Sequence, residues 1–420
     1  MKRKIKPLLI CNSDVKGGAA LAAYRLHKSL RARSIDSYMK VRHKYSEDKY
    51  VIGPISILEK LVNRIRSPLG QVLGKFQITD NKNYHSFNII PSRWSEYINK
   101  SGFDVINIHW VGAETMSIVD IGKIDKPIVM TLHDMWAFCG AEHVVEESEY
   151  KRFIEGYSRS NRSKSSSWID WDKIVWERKK SNWKKNMHIV TPSKWLAEHV
   201  KKSAILAGSR VTVIPNIVNL DVFRPLDKED CKRAIGISQR KKIIMFGAVN
   251  SIHNPNKGYD LLVEALQKLS SMVEVDNVQC VIFGSSKPAV SIDIPFTTKW
   301  LGHIDSEIKL AEIYNCADVM VIPSRVENLP QTATEAQSCG VPVVAFNSTG
   351  LGDAVLNGVT GLLANPYCTN DLAESIHKLI EDVEYNSKLS IASRIRAEKI
   401  WNKNVILEKY QNVFINAMVK

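Results

Sequence analysis

Glu327 and Glu335 stand eight positions apart in the run Ile322-Pro-Ser-Arg-Val-Glu-Asn-Leu-Pro-Gln-Thr-Ala-Thr-Glu-Ala-Gln-Ser-Cys-Gly-Val-Pro-Val-Val344. Ile322 reads as the end of a strand, Pro330 fits the first turn of the helix that follows, and Gly340 fits its end. The amides of Gln331 and Thr332 then point out of the helix start, where the dipole and direct hydrogen bonds stabilise an anion. A diphosphate fits that position. Glu335 lies deeper in the same helix, so one carboxylate stands before the anion and the other beyond it. Carboxylates accept paired hydrogen bonds from hydroxyls, and this pair is placed to hold sugar rings on either side of the diphosphate. Two glutamates at this spacing also occur on solvated helix faces, so the flanking residues must decide.

Three other places carry candidate site residues. Lys257-Gly258 opens a helix after a strand, where a lysine neutralises phosphate as a point charge, although a lone Lys-Gly is also an ordinary helix start. Gly17-Gly18 lies between a strand and a helix, as in any tight turn of that kind. His109 and His133 each follow a strand; for either, a histidine hydrogen-bonded within its loop is the plainer alternative.

The elements that position these residues follow a repeated rhythm. Residues 8–10, 105–108, 128–131 and 189–190 read as buried strands, and residues 19–33 as the helix after the first of them. The rhythm restarts with strands at 242–246, 280–283, 319–322 and 343–346 and helices at 259–270 and 308–316. Short apolar runs alternating with helical patterns predict parallel sheets covered by helices, and so an α/β fold of two tandem doubly wound Rossmann-like domains facing across a cleft. Pro215, Asn216 and Pro225 punctuate the boundary. The expected division is residues 1–215, residues 216–400 and a final helix at 401–420. Ligands of such sheets bind outside the carboxyl ends of the strands, where the candidate residues lie.

Composition agrees with this plan. The chain has 420 residues, 44% hydrophobic and 24% charged, which suits two globular domains and excludes a disordered or fibrous protein. No apolar run approaches the ~18 residues needed to span a bilayer. The basic start runs quickly into polar residues, so no signal peptide is expected. Seven cysteines scattered singly, with no C-x-x-C pair, suit a reducing cytoplasmic setting and no structural zinc. The net charge of +14 is compatible with phosphorylated substrates, an anionic membrane surface or nucleic acid.

The Glu327 to Glu335 segment resembles the E-x7-E motif of glycosyltransferase family 4, retaining enzymes of the GT-B fold, with Glu-Ala-Gln-Ser-Cys-Gly-Val-Pro-Val-Val as its most specific part. The resemblance extends over nearly the whole chain. It implies that Glu327 contacts the transferred sugar, that Glu335 binds the nucleotide ribose, and that Lys257 reads the donor diphosphate. It also implies that Gly17-Gly18 forms the glycine-rich donor loop, that His133 stands beside the transferred sugar, and that the last helix returns to the first domain. Two departures stand out. Leu329-Pro330 replaces the usual aromatic-Gly pair, leaving phosphate contacts to Gln331 and Thr332, and Ala248 stands where an arginine is usual. The implied reaction moves a hexosyl group from a UDP- or GDP-linked sugar with retention. The proton of the acceptor passes to the leaving phosphate, and no cofactor takes part. With no D-x-D element or ligand-spaced cluster, a metal-independent reaction is expected.

Two segments fall outside the rhythm. Residues 57–76 place apolar side chains at helical spacing among Lys60, Arg64, Arg66 and Lys75, with a bend expected at Pro68. They fit either a helix packed on the first domain or one lying on anionic lipid. Residues 151–185 carry eleven Lys/Arg against four Asp/Glu and four tryptophans, and the serine-rich run 158–167 reads as a mobile loop. Together these segments suggest a glycan or polyprenyl-diphosphate-linked glycan acceptor at the inner membrane face, as in bacterial lipopolysaccharide and other surface polysaccharide synthesis. Competing readings are a sugar-nucleotide epimerase of the same fold and a nucleic-acid-binding protein; for the latter no recognition module is present, and no nucleic-acid partner is expected.

Overall fold

The computed structural model describes residues 5–164, 166–184, 186–247, 254–288 and 293–419. The chain divides into two compact units, Met1–Ile214 with Leu407–Lys420 and Pro215–Ile406.

The first unit contains β1 (Pro7–Ser13), β2 (Tyr38–His43), β3 (Val51–Ile52), β4 (Gln77–Ile78), β5 (Val105–Ile108), β6 (Ile128–Thr131), β7 (Ser167–Trp168), β8 (His188–Thr191) and β9 (Arg210–Val213). Seven of these form one parallel sheet in the order β3-β2-β1-β5-β6-β8-β9, and β4 pairs with β7 in a separate antiparallel ribbon. The order reverses between β1 and β5, so the crevice of this sheet opens at the carboxyl ends of those two strands. Helix Lys403–Met418 contributes to this unit from Leu407 onward, and Tyr410 is buried there with its hydroxyl 3.3 Å from Thr131 Oγ1.

The second unit contains β10 (Lys242–Gly247), β11 (Val278–Phe283), β12 (Thr297–Trp300), β13 (Val319–Ile322), β14 (Val343–Phe346) and β15 (Gly361–Ala364), all parallel in the order β12-β11-β10-β13-β14-β15. The central strands β10, β13 and β14 are almost entirely apolar because both of their faces are covered, while the edge strand β12 carries polar residues. Along β10, Ile243 and Met245 enter one core while Ile244 and Phe246 enter the other. Met320 and Ile322 of β13 divide from Val319 and Val321 in the same way. Here the switch point falls between β10 and β13.

The serine-rich run expected to be mobile is tied down over its described part. The Arg162 guanidinium donates to the carbonyls of Ser167 and Trp168 and lies 3.6 Å from the Asp170 carboxylate, and Asn161 bonds to Ser158 and Gly156. One arginine satisfying several chain carbonyls supplies the order that packing would otherwise give. Helix Ile57–Gly74 runs through Pro68 as one helix. All seven cysteines are unpaired, and no described helix is long and apolar enough to cross a membrane.

Candidate functional site

In the second unit the loops after β10, β13 and β14 converge. The turn after β10 ends in Lys257-Gly258, and Gly258 has φ of 64°. A Cβ there would lie 1.9 Å from the carbonyl oxygen of Pro323, so only glycine permits the turn to close against the end of β13. Arg325 fastens the same contact. Its amide donates to Asn256 O at 2.8 Å, and its guanidinium holds both oxygens of Asp260 at 2.9 and 2.5 Å. That hydrogen bonding raises the Arg325 pKa and lowers that of Asp260.

This bracing brings Lys257 onto Glu327. Lys257 Nζ lies 2.6 Å from Glu327 Oε1, which also accepts from Ser324 Oγ at 3.1 Å. From the other side, the Glu327 amide donates to Thr349 Oγ1 at 3.1 Å, and the Gly350 amide donates to Glu327 O at 2.8 Å. Glu327 is therefore held at its carboxylate by Lys257 and Ser324 and at its backbone by Thr349 and Gly350. An ammonium has three donors, of which this pair uses one.

Pro330 is the N-cap of helix Gln331–Ser338, with the inward hydrogen bonds beginning at Ala333, whose amide reaches Pro330 O at 3.1 Å. Gln331 and Thr332 are thus its first two residues, at the end where an anion is favoured. The helix closes when the Gly340 and Val341 amides bond to the carbonyls of Gln337 and Ala336. Glu335 is buried inside this helix, and Tyr314 OH donates to its Oε2 at 3.1 Å. Glu327 and Glu335 are thus held by different partners. Ala248 lies outside the described residues.

In the first unit, Gly17-Gly18, His109 and His133 follow β1, β5 and β6 at one edge of the sheet. Gly17, with φ of 96°, caps helix Gly18–Ala32. Before it, the buried carboxylate of Asp14 accepts the amides of Val15, Tyr45 and Ser46 and so shapes the turn. His109 and His133 are brought together, with Nδ1 of the first 3.0 Å from Nε2 of the second. The chain of partners fixes their protons. Asn107 donates through Nδ2 to Val129 O and Thr131 Oγ1, so its Oδ1 accepts from His109 Nε2 at 3.0 Å. His109 Nδ1 is then the acceptor, and His133 carries its proton on Nε2. Burial pushes the His133 pKa down to about 4, and burial followed by His133 itself lowers that of His109. Both rings are neutral at pH 7, which makes them hydrogen-bonding groups and not cations.

Asp134 anchors the same loop. Its Oδ2 accepts from Trp110 Nε1 at 2.8 Å and lies 2.6 Å from His143 Nδ1, whose Nε2 is 2.7 Å from Ser86 Oγ. Sequence reasoning did not single out Asn107, His143, Ser324, Thr349, Arg325 or Tyr314. Ser324 and Thr349 carried a usable signal, since each follows a buried strand within a few residues. Tyr314 carried none, because its hydroxyl acts from inside an apolar helix face. Among the described residues no group of three His, Cys, Asp or Glu side chains is placed to hold a metal ion.

The chain is similar to known proteins over most of its length. Residues 227–396 match the model described as glycosyl transferases group 1, and residues 16–222 match that of glycosyltransferase family 4. D-inositol 3-phosphate glycosyltransferase of Rhodococcus opacus is 27% identical over 222 residues, which cover 50% of this chain and 49% of that protein. The chain thus spans about half the length of the curated relatives it matches. Among solved structures, sucrose-phosphate synthase from Thermosynechococcus elongatus superposes with a TM-score of 0.64 at 17% identity, covering 98% of each chain. Anabaena HepE, solved in complex with UDP-glucose, gives 0.63 at 16% identity, covering 98% of this chain and all of the other. Two Rossmann-like units with residues gathered at the switch point of each define a two-domain α/β protein of the GT-B fold. The chain belongs to glycosyltransferase family 4.

Proposed function

We propose that the protein is a retaining hexosyltransferase that takes a sugar from a UDP- or GDP-linked donor and passes it to a glycan or lipid-linked glycan acceptor. The observation that carries this reading is the Lys257 to Glu327 pair at the switch point of the second sheet, beside the start of helix Gln331–Ser338. A donor diphosphate at that helix start meets the Gln331 and Thr332 amides and the Lys257 ammonium, while Glu327 accepts hydroxyls of the transferred sugar and Glu335 those of the ribose. The UDP-glucose complex of Anabaena HepE, a protein of the same fold, supports a uridine donor.

In the reaction the bond from the anomeric carbon to the diphosphate oxygen breaks, and the bond to the acceptor oxygen forms on the same face. The acceptor proton goes to the leaving phosphate oxygen, so no side chain serves as base. Negative charge builds on the diphosphate and is stabilised by Lys257 and the two amides, which are in place beforehand. Positive charge builds on the sugar, next to Glu327. The family resemblance assigns His133 to the transferred sugar, and as a neutral ring it adds no repelling cation.

Thermal shift with a panel of uridine, guanosine and adenosine diphosphate sugars identifies the donor, since a ligand of the folded state raises its stability. Proton NMR of the product then reads the anomeric configuration. Inversion, or conversion of the sugar with no acceptor present, would reject the proposal.

A further inference from the structure

Helix Ile57–Gly74 is turned inside out relative to an ordinary surface helix. The side facing its own unit buries Asn63, Arg66 and Gly70, and only Leu73, near its end, packs on the apolar core. Arg66 donates to Glu114 O at 2.9 Å, Pro91 O at 2.8 Å and Ile90 O at 2.6 Å. Asn63 accepts from Arg42 at 3.0 Å and donates to Arg42 O at 3.2 Å. Gly70 sits so close to Glu114 that a Cβ would come within 2.7 Å of its Cγ. The outward side is apolar. Leu58, Leu61, Val62, Ile65, Leu69 and Val72 are between 42% and 70% exposed. A soluble surface helix shows the opposite arrangement.

The β4 and β7 ribbon continues from the end of this helix. The Ile169 amide bonds to Phe76 O at 3.3 Å, and Phe76, Ile78, Trp168 and Ile169 are all exposed, Trp168 to 68%. A contiguous apolar area of this kind marks an interaction surface. Its charge says which kind. Lys60, Arg64 and Lys75 are exposed along the helix, and Arg159 and Lys164 beside the ribbon. The one acid between residues 57 and 78, Glu59, turns its carboxylate onto the amides of Ile55 and Ser56 to cap the helix. A second copy of the chain would bring like charges together around the apolar patch. A lipid monolayer with anionic headgroups satisfies both parts at once, taking up the apolar side chains and pairing with the basic rim.

We propose that helix Ile57–Gly74 and the β4 and β7 ribbon form a docking face that lies in the plane of an anionic lipid monolayer, with Trp168 at the headgroup boundary. The inference goes beyond the catalytic reading and does not depend on it. Flotation of the full chain with vesicles of phosphatidylcholine mixed with phosphatidylglycerol, and with vesicles of phosphatidylcholine alone, tests it without any activity readout. The expected result is binding to the mixed vesicles that weakens with added salt. Ile65→Glu combined with Leu69→Glu abolishes it, and the triple reversal Lys60→Glu, Arg64→Glu and Lys75→Glu lowers it on the order of a hundredfold. All of these positions are exposed, and unchanged circular dichroism shows that the variants fold. Absence of flotation, flotation that these substitutions leave unchanged, or equal binding to both vesicle types would overturn the proposal. So would a dimer in sedimentation that Ile65→Glu with Leu69→Glu disperses, with no vesicle binding.

Discussion

Lys257 Nζ lies 2.6 Å from Glu327 Oε1, so the cation proposed for the diphosphate and the carboxylate proposed for the transferred sugar form one unit. Holding the two together fixes the direction of each before any donor arrives, which is the condition for electrostatic stabilisation without rearrangement. Lys257→Ala removes a donor at the developing charge and also releases Glu327. Its kcat/KM is expected to fall about 100- to 1,000-fold, the range for loss of one preorganised donor. Because the pair is partly solvated, the denaturant midpoint should reflect a change of less than about 1 kcal/mol. A large loss of stability with little loss of activity would show a structural pair.

Tyr314 supports the other carboxylate from within the core. Tyr314→Phe leaves buried Glu335 Oε2 without that donor. A stability loss of about 1–3 kcal/mol is expected from denaturant unfolding, together with a raised KM for the donor and a smaller change in kcat.

Gly258→Ala tests the turn that carries Lys257. The added Cβ meets Pro323 O in a backbone conformation that disfavours side chains. The turn must then move away from β13, taking the lysine with it. Donor binding measured by titration calorimetry should weaken at least tenfold, and the folded protein should lose roughly 1–3 kcal/mol.

The neutral histidines give a signed pH dependence. The His133 pKa is about 4 in the folded chain against an ordinary value of 6.5, chiefly through burial, so the unfolded chain takes up the proton first. The contribution is fully present above about pH 6.5 and is lost as pH falls toward 4, at about 1.4 kcal/mol per unit. His133→Gln removes that slope. Comparing urea midpoints of the two proteins from pH 7 to 4.5 reads it together with the part of the His109 shift that His133 causes, while groups such as Glu142, whose raised pKa acts in the opposite sense, cancel.

Activity in excess chelator is expected to match that in magnesium or manganese, since the proposed charge stabilisation comes from Lys257 and two amides. A sustained loss in chelator, restored by either ion, would assign part of that work to a metal.

Much of the fold was legible because the central strands are buried on both faces. β10, β13 and β14 read as continuous apolar runs, and the loops after them could be located to a residue or two. β12, with the sequence Thr-Thr-Lys-Trp, and β2, with Lys40 and Arg42 inside it, were not, because strands near a sheet edge carry polar residues that local pattern does not separate from loop. The site was legible where one segment carries several of its parts, as from Glu327 to Glu335. It was not where the partners come from distant segments. Asn107, His109 and His133 act together only because β5 and β6 are neighbours, and no local pattern announces that. The inverted helix shows a further limit. Periodicity located the apolar stripe of residues 57–76 but could not say that it faces outward, since that depends on Arg66 finding its carbonyl partners from residues 90, 91 and 114.

The first unit is discontinuous in sequence, with Tyr410 from the last helix reaching Thr131, which in turn bonds to Asn107 beside His109. During synthesis, residues 1–214 leave the ribosome long before residues 407–420 exist. Residues 215–406 of the second unit are all made before the piece that completes the first. Completion of the histidine network therefore waits for residues 407–420, which are made after every other segment that it joins.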